Sequence, residues 1–170
     1  MRFSSLLIFV CVSICTKGCE VGWVQFHDKC YMFSHTAVTW AEASSICNVF
    51  HSKLAEPMTT GESNFIISHS QNEAGRFWIG ISDIIEENRW VYSSNLQPIK
   101  VNSFHPSQPD GHTNGNCVLL WKEQHGLWAD DPCENRYNFI CERLQNSGVK
   151  CLAEVFVLNC SSFSKESKPQ

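Results

Sequence analysis

A glutamine and an aspartate flank a proline at Gln108-Pro109-Asp110, and this tripeptide offers the clearest chemistry in the chain. The amide oxygen and the carboxylate suit a hard cation such as calcium, and they also hydrogen-bond the hydroxyl groups of a ligand. Proline is the residue that most readily follows a cis peptide bond, and a cis bond here lets both side chains point the same way. Because proline and aspartate are also common in simple turns, the surrounding elements must decide the interpretation.

The chain has 170 residues, which corresponds to one ordinary domain. Residues 1–18 predict a secretory signal peptide, because Arg2 precedes the apolar run 3–14 and Thr16-Lys17-Gly18 ends in a small residue. We expect cleavage after Gly18, with cleavage after Cys15 as the alternative. The apolar run is too short to span a bilayer, so we expect a secreted, extracellular protein without membrane insertion.

Removal of the signal peptide changes the cysteine count and the charge. Eight of the ten cysteines remain, and eleven basic residues stand against seventeen acidic ones, a net charge of −6. An acidic chain without a basic cluster is a poor nucleic-acid binder. An even number of cysteines in a secreted chain indicates disulfides, although the count alone does not choose their pairing.

The first half of the mature chain predicts a hairpin and two helices. Residues 22–26 and 31–34 are short aromatic-rich runs typical of paired strands. Thr39 is a suitable N-cap for the first helix, and Thr59 with Glu62 forms a capping box for the second. The apolar face of the first helix repeats every three or four residues, at Trp40, Ala43, Cys47 and Phe50.

The second half has strand character. Residues 77–81 form a continuous apolar run, as expected for a buried strand. Further short strands are predicted at residues 89–92, 117–121, 127–129 and 138–141. Residues 93–116 show no clear periodicity, and a loop of this length in a compact domain is usually functional or disordered. The Gln-Pro-Asp tripeptide lies within this loop.

The order and spacing of these motifs resemble the C-type lectin domain family, in the single-domain secreted form of invertebrates such as the perlucin-like proteins of molluscs. The resemblance covers residues 19 to about 142. Its residues are Gly22-Trp23, Cys30-Tyr31, Trp40-Ala41-Glu42-Ala43, Cys47, Leu54-Ala55, Trp78-Ile79-Gly80, Cys117, Trp128, Cys133 and Phe139-Ile140-Cys141-Glu142. It implies an α+β C-type lectin-like fold, in which two helices and two small antiparallel sheets carry a long binding loop and disulfides. We assign residues 19–143 to this domain and 144–170 to a partly disordered C-terminal extension.

The resemblance also implies disulfide pairs. Cys47 pairs with Cys141, Cys117 pairs with Cys133 beneath the binding loop, and Cys19 pairs with Cys30 as in the long form of the domain. Cys151 and Cys160 lie outside the family pattern. We expect a local Cys151–Cys160 disulfide, and the alternative is a bridge to a second copy in a homo-oligomer.

In sugar-binding members of the family, calcium sits between the long loop and a Trp-Asn-Asp strand, and a Gln-Pro-Asp motif accompanies galactose-type sugars. The resemblance therefore implies that Gln108, Asp110 and Asp130 bind both calcium and sugar. His112 stands where some relatives stack an aromatic ring on the sugar, and an exposed loop histidine is the alternative.

The chain departs from the family pattern at two ligand positions. Ala129 replaces the asparagine of Trp-Asn-Asp, and Gly115 replaces a glutamate. Asn116 or Asn114 offers an amide oxygen in place of that glutamate if the loop shifts by one residue. We expect weak calcium binding, or calcium binding only together with sugar, because calcium affinity depends on the number and charge of its ligands.

The resemblance, together with the chain's two departures from the family pattern, suggests two functions. The first is a calcium-dependent, galactose-type lectin that recognises glycans on microbial or host surfaces, in pathogen recognition or agglutination. The alternative, motivated by Ala129 and Gly115, is a calcium-independent lectin-fold protein that binds a protein or a mineral surface such as shell matrix. An enzyme is not expected, because no nucleophile lies in a recognised catalytic context.

Overall fold

The computed structural model describes residues 8–16, 18–145 and 150–158; the side chains of 8–16, 112 and 150–158 are outside the description. The strands are, in chain order, β1 (Ile8–Thr16), β2 (Val24–Phe26), β3 (Lys29–Phe33), β4 (Lys53–Leu54), β5 (Phe77–Ser82), β6 (Val91–Tyr92), β7 (Cys117–Trp121), β8 (Leu127–Asp131), β9 (Asn138–Leu144) and β10 (Lys150–Leu158). The helices are α1 (Trp40–Val49) and α2 (Thr60–Ser70).

The described residues fall into two units. Strands β1 and β10 pair antiparallel in one unit, and residues 19–145 form the other. Strand β1 lies within the predicted signal peptide. The presence of this strand does not test cleavage, so removal of residues 1–18 stays a prediction. Cys160 lies outside the described residues, so the Cys151–Cys160 disulfide stays a prediction as well.

The sheet of the second unit has the strand order β2-β3-β9-β5-β7-β8, with β4 added to β9 and β6 added to β5. The two antiparallel groups of strands that the sequence predicts are present, and a short parallel contact between β5 and β9 joins them. Strand β5 is buried along its whole length, so its backbone groups need partners on both edges. That requirement explains why the two groups form one sheet.

Both helices begin where the sequence predicts, at complete capping boxes. The Thr39 hydroxyl accepts from the Glu42 backbone N–H at 3.3 Å, and the Glu42 carboxylate accepts from the Thr39 N–H at 3.0 Å. Thr59 and Glu62 make the same two contacts at 3.1 Å each. These contacts satisfy backbone donors that a helix start otherwise leaves free.

The structure contains the disulfides Cys19–Cys30, Cys47–Cys141 and Cys117–Cys133. Cys47 and Ala43 form the fully buried face of α1, and the Cys47–Cys141 bond ties this helix to β9. The Cys117–Cys133 bond joins the start of β7 to the turn after β8, next to the long loop. Among the described residues, no helix is long and apolar enough to span a membrane.

Candidate functional site

The Gln-Pro-Asp tripeptide forms a compact polar turn in the long loop. The Gln108–Pro109 peptide bond is cis. The Gln108 amide donates from Nε2 to Oδ1 of Asp110 at 2.8 Å, so the two side chains lie side by side. Asp110 is exposed and Gln108 is partly exposed, so both can reach a ligand.

Asp130, near the end of β8, holds this turn by hydrogen bonds to its backbone. Its side chain is buried, and Oδ1 and Oδ2 accept the backbone N–H groups of Asp110 at 2.9 Å and of Gly111 at 2.6 Å. The Asp130 backbone N–H donates to Oε1 of Gln108 at 3.3 Å. The structure thus brings together the three residues Gln108, Asp110 and Asp130, with the Asp130 carboxylate bound to the loop backbone.

Two glycines press against this carboxylate. A Cβ atom at Gly111 or at Gly115 would lie 2.4 Å from Oδ2 of Asp130, and 2.6–2.7 Å from the Cα of the other glycine. Real Cβ atoms do not approach other atoms so closely, so this contact requires glycine at both positions. The sequence suggests that Gly115 is a missing ligand. In the structure Gly115 instead packs closely against the Asp130 carboxylate and Gly111.

These oxygen atoms do not fit a calcium shell as they stand. Calcium takes about six to eight oxygen ligands, and an ion at this point would need the carboxylate that the loop backbone already uses. Ala129 offers no side-chain oxygen. Within the described residues, no group of three or more histidine, cysteine or carboxylate side chains is placed to hold a metal ion.

A second pair of oxygen atoms beside the loop is buried and lacks a partner: Oδ1 of Asp83 and Oδ1 of Asn116. The Asp83 N–H donates to the Asn116 carbonyl at 3.2 Å, so the two residues are neighbours. Burial is the main cause that raises the pKa of Asp83, and the charges of Glu87 and Asp130 add to it.

An unpartnered buried oxygen costs about 1–3 kcal/mol, so each of these two atoms calls for a polar partner such as an ordered water. Asn116 is the substitute ligand that the sequence suggests. Sequence reasoning missed Asp83, although an aspartate directly after a buried strand was an available signal.

A small cleft opens beside Gln108 and Asp110, with a volume of about 160 Å³. Its other lining residues are Arg76, Leu119, Trp121, Ala129, Asp130 and Asp131. It has room for roughly five water molecules. Pockets for drug-sized ligands have volumes of about 300–1,000 Å³, so this smaller cleft suits one small polar ligand such as a single sugar residue.

An ion pair and a hydrogen bond position side chains in the wall of the cleft. Arg76 binds Glu123 through Nε at 3.1 Å and lies over the Trp121 ring. The Tyr137 hydroxyl donates to Oδ2 of Asp131 at 2.6 Å, and burial together with this contact raises the pKa of Tyr137. These contacts fix the polar rim in place before a ligand arrives.

His112 begins a short 3₁₀ turn, His112–Asn114, two residues after the tripeptide in the chain. Its side chain lies outside the described residues, so its stacking role stays a prediction.

Comparison with known proteins places this geometry in a family. The family model of the Lectin C-type domain matches residues 36–143. The chain is 33% identical over 139 residues to human C-type lectin domain family 10 member A, which covers 75% of this chain and 41% of that protein. The chain therefore spans less than half the length of that relative.

Two solved structures align over most of the chain. The mouse scavenger receptor C-type lectin carbohydrate-recognition domain aligns with a TM-score of 0.71 and 28% identity, over 76% of this chain and 99% of that chain. A calcium-independent type II antifreeze protein aligns with a TM-score of 0.66 and 23% identity, over 78% of this chain and 96% of that one, which shows a likeness of fold alone. The predicted C-type lectin fold is confirmed, and the chain belongs to the C-type lectin domain family.

Proposed function

We propose that this domain binds carbohydrate and receives one sugar residue in the cleft, with Gln108 and Asp110 as the side chains that hydrogen-bond its hydroxyl groups. The observation that carries the proposal is the pairing of these two side chains at the mouth of the cleft. Together they present amide and carboxylate groups to neighbouring hydroxyls. The likeness to the mouse scavenger receptor C-type lectin carbohydrate-recognition domain supports this assignment.

The order Gln-Pro-Asp supports a preference for galactose-type sugars, as the resemblance to sugar-binding lectins implies. The domain then acts as a secreted binding module, without enzymatic activity, for glycans on microbial or host surfaces. Pathogen recognition or agglutination is the role we propose. The secreted single-domain molluscan subtype remains a prediction of the sequence. A single sugar site is weak, so useful avidity needs several sites held together in an oligomer.

Calcium, the predicted cofactor, stays a proposal: near the tripeptide, the buried Oδ1 atoms of Asp83 and Asn116 are oxygens without a hydrogen-bond partner. Two protein oxygens fall short of the about six to eight that calcium takes, so water or sugar hydroxyl groups would have to supply most of the shell. Gln108 and Asp110 remain the sugar contacts in this arrangement.

The test is retention of the secreted chain on a galactose resin, with calcium in one arm and a chelator in the other. We expect retention that free galactose competes away more effectively than free mannose. The paired change Gln108→Glu with Asp110→Asn should shift the preference towards mannose, and Asp28→Asn, an exposed residue in the β2–β3 turn, is the control. Absence of retention in both arms would overturn the proposal.

A second candidate is a calcium-independent lectin-fold protein that binds a protein or mineral surface such as shell matrix. Two observations favour it: the Asp130 carboxylate is already engaged by the loop, and the antifreeze neighbour shares the fold. Sedimentation with calcium carbonate powder separates the candidates. Binding to the mineral without retention on any sugar resin favours the second function.

A further inference from the structure

We propose that Asp130 orders the ligand loop, residues 108–111, in place of a bound cation, so that these residues keep their binding conformation without metal. The inference rests on the proposed location of the site and is independent of which sugar enters it. Asp130 is in this sense a positioning residue, since it acts on the ligand through Gln108 and Asp110.

The first support is a closed circuit of hydrogen bonds. The Asp130 N–H donates to Gln108 Oε1, the Gln108 amide donates to Asp110 Oδ1, and the Asp110 N–H donates back to Asp130 Oδ1. Gln108 is held at both ends of its amide, while the Asp110 and Asp130 carboxylates each accept one hydrogen bond within the circuit. A metal ion is not needed to align the amide of Gln108 with the carboxylate of Asp110.

The second support is the charge at the centre of this circuit. Successive N–H groups of Asp110 and Gly111 converge on one carboxylate, which is the arrangement by which backbone amides hold an anion. Hydrogen bonds to a charged acceptor are stronger than those between neutral groups. The buried negative charge of Asp130 is therefore stabilised by the loop itself.

The third support is space. Gly111 and Gly115 lie so close to Oδ2 of Asp130 that a single added carbon at either would stand 2.4 Å away. A calcium ion needs its ligands at about 2.3–2.6 Å and room for several more oxygens around it. The two glycine backbones occupy the volume on that side of the carboxylate.

Amide hydrogen exchange on the full chain tests the inference, because exchange reports loop order without any sugar present. In the parent protein we expect the protection of the Asp110 and Gly111 amides to change less than about twofold between calcium and chelator. In Asp130→Asn it should fall by about tenfold or more in both conditions, since a hydrogen bond to a charged group is lost. Asp28→Asn, the same change at an exposed position, should behave as the parent.

One result overturns the inference: a loss of about tenfold in the parent on chelation, restored by calcium. The parent measurement stands alone if Asp130→Asn does not fold. Protection of these amides that is unchanged in a folded Asp130→Asn would also refute it. Failure of sugar retention would refute the proposed function and leave the exchange result standing, so the two failures are distinguishable.

Discussion

Gly115→Ala is the smallest change that tests how tightly the ligand loop is packed. The added methyl would stand 2.4 Å from Oδ2 of Asp130 and 2.7 Å from the Cα of Gly111, so two backbone segments or a buried carboxylate must move. Overpacking of this kind costs about 1–3 kcal/mol. For a chain of this length, that loss of stability lowers the Tm by roughly 3–10 °C.

Urea denaturation with the disulfides intact measures the loss as a change in the free energy of unfolding. The matched control is Gly61→Ala in α2, where the nearest atoms to an added Cβ are 3.8 Å away. That variant should equal or slightly exceed the parent, because alanine is favoured over glycine in a helix by about 1 kcal/mol. If Gly115→Ala unfolds at the same urea concentration as Gly61→Ala, the inference that Gly115 packs tightly against the Asp130 carboxylate is refuted.

Three further outcomes are expected. Burial raises the pKa of Asp83 in the folded protein. The contribution of Asp83 to the free energy of unfolding is therefore largest below its unfolded pKa of about 3.9 and is lost as pH rises through the raised pKa. Asp83→Asn should flatten this part of the pH dependence in urea titrations at pH 4 and 7. Glu56 is fully buried and binds Lys53 and two serines, so Glu56→Ala should lower the free energy of unfolding by about 1–3 kcal/mol in the same assay, because the serine donors lose their acceptor while Lys53 keeps Glu142 as a partner. Ala129→Asn adds one oxygen but leaves Asp130 engaged, so calcium titration calorimetry should match the parent; a new calcium signal would contradict this reasoning.

Features encoded in short stretches of sequence were predictable. The capping boxes at Thr39 and Thr59 each involve residues three apart, so the sequence alone locates both helix starts. The continuous apolar run of β5 likewise announces a buried strand. Strand β4 escaped prediction because two residues carry no periodicity, and only its pairing with β9 makes it a strand.

The candidate site was predictable in its residues and not in their contacts. The tripeptide and Asp130 stand out by type and by resemblance, and the structure brings them together. That the Asp130 carboxylate bonds the loop backbone depends on residues nineteen and twenty positions away, and no local pattern encodes such a contact. In the sequence Gly115 is interpreted as a lost ligand, because the close contacts with Asp130 and Gly111 that require a glycine there are seen only in the three-dimensional structure.

The long loop also covers the end of the sheet. Strand β8 is the terminal strand on its side of the described sheet, and at Trp128 the outer edge is occupied: its N–H donates to the Ser103 carbonyl and its carbonyl accepts from the His105 N–H, both at 2.9 Å. Free strand edges template pairing with other chains and lead to aggregation. Engineering of new specificities by randomising this loop should therefore keep residues 103–105 unchanged, because variants that release them would lose solubility before any ligand is tested.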